Sequence, residues 1–114
     1  MADQQTWSEG LPVAITVTDA NGTILEMNAR SRETFAADGG AALIGQNLFA
    51  CHPEPARTKT QAMYQTRKPN HYTISRAGQR KMIHQMPWFK NGVFAGFVEI
   101  SIPIPDQLEH FDRG

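Results

Sequence analysis

The sequence is poor in cysteine. Its 114 residues hold one, Cys51, so neither an intrachain disulfide nor a cysteine-rich zinc site can form. It also lacks an excess of either charge, with 11 basic and 11 acidic side chains. An electrostatic nucleic-acid binder would show a basic surplus or stripe, so that class is set aside. No apolar run approaches the roughly 20 residues of a membrane span, and the polar start Met1–Ala2–Asp3–Gln4–Gln5 does not read as a signal peptide. Enzyme signatures are missing as well: there is no Gly-x-Ser-x-Gly, no phosphate loop, no His-Glu-x-x-His and no carboxylate pair on a clear apolar face. What is left, 40% apolar and 19% charged, suits one globular domain with a real core. The expectation is a small, soluble, cytoplasmic, non-enzymatic domain that contacts neither nucleic acid nor membrane.

Pro12 to Asp19 alternates Val13, Ile15 and Val17 with Ala14, Thr16 and Thr18, a two-residue period that reads as a strand. Asp19–Ala20–Asn21–Gly22 leads into the apolar run Thr23 to Met27, and Asn-Gly at such a junction favours a tight hairpin with left-handed backbone. Asn28 suits a helix N-cap for Ala29 to Ala37, with Phe35 turned inward. Asp38–Gly39–Gly40 ends that helix, and a broken helical turn around Gly45 buries Leu43, Leu48 and Phe49. Pro53 and Pro55 allow a helix start but no helix interior, so one longer helix runs from Pro55 to about Lys68 with Ala56, Thr60 and Met63 on one face. Tyr72 to Arg76, Arg80 to Phe89 and Val93 to Ile104 then form a meander, turned at Ala77–Gly78–Gln79 and Lys90–Asn91–Gly92. The order predicts an α+β domain, one five-stranded antiparallel sheet with the helices on one face. Residues 1–10 read as a leader serving as lid or dimer contact, 11–104 as the domain and 105–114 as a polar tail.

This order resembles the PAS sensor-domain family over roughly residues 11–104. The resemblance rests on Val17–Thr–Asp–Ala–Asn–Gly–Thr–Ile–Leu–Glu–Met–Asn28, on Leu43–Ile–Gly–Gln–Asn–Leu–Phe49 and on the closing Asn91–Gly–Val–Phe–Ala–Gly–Phe–Val–Glu–Ile100. It implies a sensor module with a pocket between sheet and helices, passing its signal through protein contacts to a downstream signalling protein or domain. It does not supply the ligand: a small organic molecule and haem both stay open, as does a ligand-free interaction module. In the light-sensing LOV branch a Cys follows the motif found here as Gly45–Gln46–Asn47. Here that position is Leu48, which argues against a flavin adduct.

Candidate ligand-binding residues are Phe35, Leu48, Cys51, His52, Met63, Tyr72, His84, Met86 and Trp88. No dedicated metal site is expected. Were haem bound, its iron would need Cys51, His52 or His84. Cys51 equally fits a small buried apolar residue. His84 alternates with Met82, Met86 and Trp88, which places one polar need in an apolar wall, here assigned to the helix-facing side. Ile83 and Phe89 then fall on the opposite side. Because both faces of the last two strands carry apolar residues, a homodimer is expected across the outer face, helped by Trp7 and Leu11 of the leader.

Overall fold

The computed structural model describes residues 6–114, so the first five positions of the expected leader lie outside the described residues. Strands β1 (Ala14–Thr18) and β2 (Ile24–Met27) open the domain, followed by helix α1 (Ala29–Thr34). Two 3-10 turns, Ala36–Asp38 and Gly40–Leu43, lead to α2 (Leu48–Cys51) and α3 (Ala56–Thr66). Strands β3 (Asn70–Arg76), β4 (Gln79–Lys90) and β5 (Val93–Pro103) close it. The sheet order is β2-β1-β5-β4-β3 with every pair antiparallel, so the expected α+β architecture is the one found. The last strand sits at the centre and joins the two hairpins.

Three turns show how local chemistry sets this path. Asn91 and Gly92 both have left-handed backbone (φ 52° and 79°) between the paired residues Lys90 and Val93, as a two-residue hairpin requires. Ala77 and Gly78 repeat that geometry between β3 and β4. The first Asn-Gly behaves differently, because only Gly22 is left-handed. There the Asp19 carboxylate accepts the amides of Asn21 and Thr23 at 2.9 and 3.0 Å and shapes a longer loop. Gly22 is also buried beneath Phe49, whose ring lies 2.8 Å from where a Cβ would stand.

Asn28 does cap α1, its Oδ1 accepting from the Ser31 amide at 3.0 Å. It does more than cap. The same oxygen accepts from Ile15 N, while Nδ2 donates to the carbonyls of Val13 and Ser8, tying leader, β1 and α1 together. Asn47 caps α2 by accepting from Phe49 N and donates to Asn21 O. The segment Gly45–Leu48 is thereby laced to the first hairpin, with Ile24 N donating to Gln46 O and Leu48 N to Gly22 O. Helix α3 ends at Arg67, which turns left-handed and donates its amide to Met63 O.

Two contacts orient the sheet. The Thr16 hydroxyl meets Ser31 of α1 at 2.7 Å, and the Thr18 hydroxyl meets the phenol of Tyr64 of α3. Thr16 and Thr18 therefore face the helices, and Ile15 and Val17 face away. Register carries this assignment across the sheet, since directly opposed residues share a face. Glu99 lies opposite Thr16, Gln85 opposite Glu99, and Asn70 opposite Gln85. All three look toward the helices, as do Tyr72 and its partner Ile83. The outward set is Val98, Ile100 and Ile102 on β5, Met82, His84 and Met86 on β4, and His71 on β3.

This reverses the expected phase of β4. His84 and Met86 point away from the helices, and Trp88 continues their alternation. Ile83, expected on the outer side, is 5% exposed on the inner one. Phe89 lies past a bulge between Trp88 and itself and is exposed. Phe97 faces the helices and is 4% exposed, so it belongs to the core and not to an outer patch. The physical reason is that β4 carries apolar side chains in both phases, and only the pairing with β5 decides between them.

Candidate functional site

The helix-facing surface of β3, β4 and β5 carries a row of linked polar side chains. Asn70 Nδ2 donates to Gln85 Oε1 at 2.9 Å, and Gln85 Nε2 donates to Glu99 Oε1 at 2.8 Å. Their cross-strand positions place all three on one rung of the sheet. Glu99 is half-buried and belongs to neither ion pair among the described residues. A carboxylate so placed, held by one amide, attracts an N–H donor or a cation.

Its field reaches two phenols. Partial burial raises the Tyr72 pKa above its usual value, and the Glu99 charge adds to the rise. Burial likewise raises that of Tyr64, where the Thr18 hydroxyl pulls the other way and Asp19 and Glu99 push further up. Both phenols therefore keep their protons at neutral pH and remain hydrogen-bond donors.

Tyr64 anchors α3 over this wall. Its ring lies 4.6 Å from Phe97 and meets Phe49 edge-on at 4.9 Å. Apart from half-buried Thr60 and Met63, the remainder of the helix is exposed. One aromatic plug thus docks an otherwise solvated helix. Thr18 then links the two sides of the sheet. Its hydroxyl serves Tyr64 and accepts from Phe97 N, while its carbonyl accepts the indole N–H of outward-facing Trp88 at 3.0 Å. Gly96 makes this close approach possible, because a Cβ there would stand 2.0 Å from Thr18 O.

The nine sequence-derived candidates do not converge. Tyr72 lies on the helix-facing wall, and Met63 sits half-buried one residue before Tyr64. Phe35 is half-buried where α1 ends, and Leu48 half-buried where α2 begins. Cys51 is exposed at the last turn of α2, with His52 half-buried just after it. His84, Met86 and Trp88 belong to the other face. The three residues considered for haem iron are therefore split between α2 and the outer sheet. The helix-facing side chains Ile83, Gln85, Phe97, Glu99 and Ser101 of β4 and β5 offer neither an imidazole nor a thiol. An iron held between sheet and helices would therefore take its protein ligand from the helix side, where His52 is half-buried and Cys51 exposed.

Sequence reasoning missed Asn70, Gln85, Glu99, Thr18 and Tyr64. The signal for Tyr64 was available, since Thr60 and Tyr64 are four residues apart on one helical face. The others needed the strand register. A further cleft of about 60 Å³ lies under the leader between Ser8, Glu9, Ile15 and Val17. It has room for a water or two, against roughly 300–1,000 Å³ for an organic ligand.

The comparisons with known proteins agree with this architecture. The family model for the PAS fold matches residues 4–87. The chain belongs to the PAS-fold family. No curated protein matches it in sequence. Among solved structures it is similar to a C-terminal domain from Streptococcus mutans, with a TM-score of 0.69 and 17% identity over 83% of this chain and 78% of that one. It is also similar to the Aer2 receptor of Vibrio cholerae, described as a dual PAS-heme oxygen sensor (TM-score 0.62, 18% identity, 82% and 95% covered). The PAS domain of Bordetella pertussis BvgS is similar as well (TM-score 0.60, 20% identity, 88% and 82% covered). At these identities the likeness concerns the fold alone. No helix among the described residues is long and apolar enough to cross a membrane.

Proposed function

We propose that this PAS-fold chain is the sensory module of a cytoplasmic signalling protein, non-enzymatic, with its input on the helix-facing wall of the sheet. The observation that carries the reading is the row Asn70–Gln85–Glu99 beside Tyr72. A structural core has no need of a carboxylate there, whereas a small ligand bearing amine or amide N–H groups does. Glu99 supplies the charge, Gln85 fixes the carboxylate, and Tyr72 adds a phenol donor. Tyr64 over Phe97 closes one end.

Output runs through Thr18, which bonds Tyr64 on one side and Trp88 on the other. A shift of α3 on ligand entry thereby reaches the outer face, where a second copy of the chain covers Val98, Ile100 and Ile102. The sensory reading follows from family membership, and the similar Aer2 and BvgS structures are consistent with it.

The test is a thermal-shift screen of small amines and amides, with native mass spectrometry of the freshly purified chain. A compound that raises the melting temperature of the native chain, and fails to do so for Glu99→Gln, supports the reading. If no compound shifts it and no bound mass is found, the chain acts as a ligand-free interaction module.

A further inference from the structure

His71 and His84 stand directly opposite each other on β3 and β4, on the face turned away from the helices. Directly opposed residues hold their Cβ atoms about 5 Å apart, within easy reach for two imidazoles. Here the two Nδ1 atoms are 2.9 Å apart, with ring centroids at 5.0 Å. At that distance one Nδ1 carries the hydrogen and the other presents its lone pair. His71 is exposed on the edge strand and His84 half-buried with Ile100 directly across from it, so the pair lies at the rim of the face assigned to a second copy, with an ion reaching it from the β3 edge. Alternation sets Met82 and Met86 on either side of His84 on the same face.

We propose that this pair is a binding site for divalent copper, with both Nδ1 atoms as ligands and a thioether of Met82 or Met86 as an auxiliary one. Two imidazole nitrogens about 2.0 Å from a common ion lie about 2.8–2.9 Å apart at a right angle, and about 3.3 Å apart at the tetrahedral angle. The observed 2.9 Å is the length of the hydrogen bond between the rings, and it shows that both nitrogens reach a common ion with little movement. Copper stands highest among divalent first-row ions for nitrogen ligands, and a thioether serves the cupric ion as a weak axial ligand. On binding, the ion takes the place of the shared hydrogen. The donor ring moves that hydrogen to its own Nε2, so no net proton is released from the neutral pair. Among the described residues no three of His, Cys, Asp and Glu gather, so water completes the coordination. The site rests on the pair alone and not on the sensory reading of the other face.

The test is a titration of the full chain with copper(II), followed by calorimetry and electron paramagnetic resonance. Cys51→Ser is run in parallel, because the exposed thiol is a competing ligand. The expected result is one ion per chain with a signal split by two imidazole nitrogens. His71→Ala and His84→Ala should each weaken binding at least tenfold, and the double variant should lose the nitrogen-split signal. His52→Ala and His110→Ala should leave both readouts unchanged. Circular dichroism confirms folding of each variant. Binding that survives the double substitution, or depends on His52 or His110, overturns the proposal.

Discussion

The two faces of the sheet depart from the usual division in opposite ways: the covered face mixes a polar row into its apolar core, and the open face is largely apolar. A sheet covered on one side normally turns its apolar residues to the cover and its polar ones to water. Here the helix-facing side carries Thr16, Thr18, Gln85, Glu99 and Ser101 among the buried Ala14, Ile24, Met27, Ile83 and Phe97. The open side carries Ile15, Val17, Val98, Ile100, Ile102, Met82 and Met86. A structural core alone would not select that distribution. The polar row is what the proposed ligand would meet, and the apolar open side is what the proposed second copy would cover. Within the inner face the division is just as plain. Phe97, Tyr64 and Phe49 do the packing at one end, and Asn70, Gln85 and Glu99 occupy the other.

The largest effect should come from the packed end. Phe97→Ala removes a ring that touches both Tyr64 and Phe94, and should cost about 3–5 kcal/mol in urea unfolding, the range for a buried Phe. A loss under about 1 kcal/mol would place the core elsewhere. Next comes Thr18→Val, which keeps volume but strands the Tyr64 hydroxyl. It should cost about 1–3 kcal/mol, the penalty for an unsatisfied buried polar group. Because the Phe97 amide also loses its bond to the Thr18 hydroxyl, Tyr64→Phe in the same background should recover only the part due to the stranded phenol, and no recovery at all would break the Tyr64–Thr18 link.

The sequence made the fold legible because the fold is set by local devices. Asn91–Gly92 and Ala77–Gly78 state two hairpins, and Asn28 states the start of α1. The site was far less legible, for a reason that sits in β4. Met82, His84, Met86 and Trp88 form one alternating set, and Ile83, Gln85, Pro87 and Phe89 form the other. Each set contains apolar side chains, so periodicity alone cannot choose a face. The imidazole among methionines suggested a pocket wall, yet the pairings of Gln85 with Glu99 and of Glu99 with Thr16 send it outward. The first Asn-Gly turn carries a smaller version of the same lesson. Its dipeptide matches the later hairpin, but the Asp19 carboxylate two residues upstream captures the amides and changes the loop.

The outer face offers a sharper contrast, between association and stability. Ile100→Glu places a charge on the apolar side while leaving the inner core intact. Light scattering at micromolar concentration should show the native chain as a dimer of 12.7 kDa units and this variant shifted to monomer. Its unfolding free energy should change by less than about 1 kcal/mol, as for other partly exposed sites. A native chain that is monomeric throughout removes the second copy and leaves the face to another partner. Cys51→Ser should be milder still, within about 0.5 kcal/mol, because the thiol is exposed and has no disulfide partner in the chain.

The smallest expected effect lies where the leader meets the outer face. The Arg32 guanidinium grips both carboxylate oxygens of Glu9 and also donates to Met27 O at 2.7 Å. Those hydrogen bonds hold the Glu9 pKa below its usual value. A carboxyl lowered in the folded state stabilises it at neutral pH, and that contribution fades as pH falls from the unfolded value through the folded one. Acid should therefore loosen the leader before it unfolds the domain. Hydrogen exchange of the Glu9 and Leu11 amides, which donate to Thr6 O and Ser8 O, reports this directly. Protection there should drop as pH falls below the ordinary carboxylate range, after correction for the intrinsic exchange rate, while β4 and β5 stay protected. Glu9→Gln should show the loosened behaviour already at neutral pH and lose the acid step. Because the pair is partly solvent-exposed, salt near 1 M should weaken the contrast. An acid step that survives in Glu9→Gln would assign it to another carboxyl, and full protection of Glu9→Gln at neutral pH would leave the Asn28 amide bonded to Ser8 O as what seats the leader.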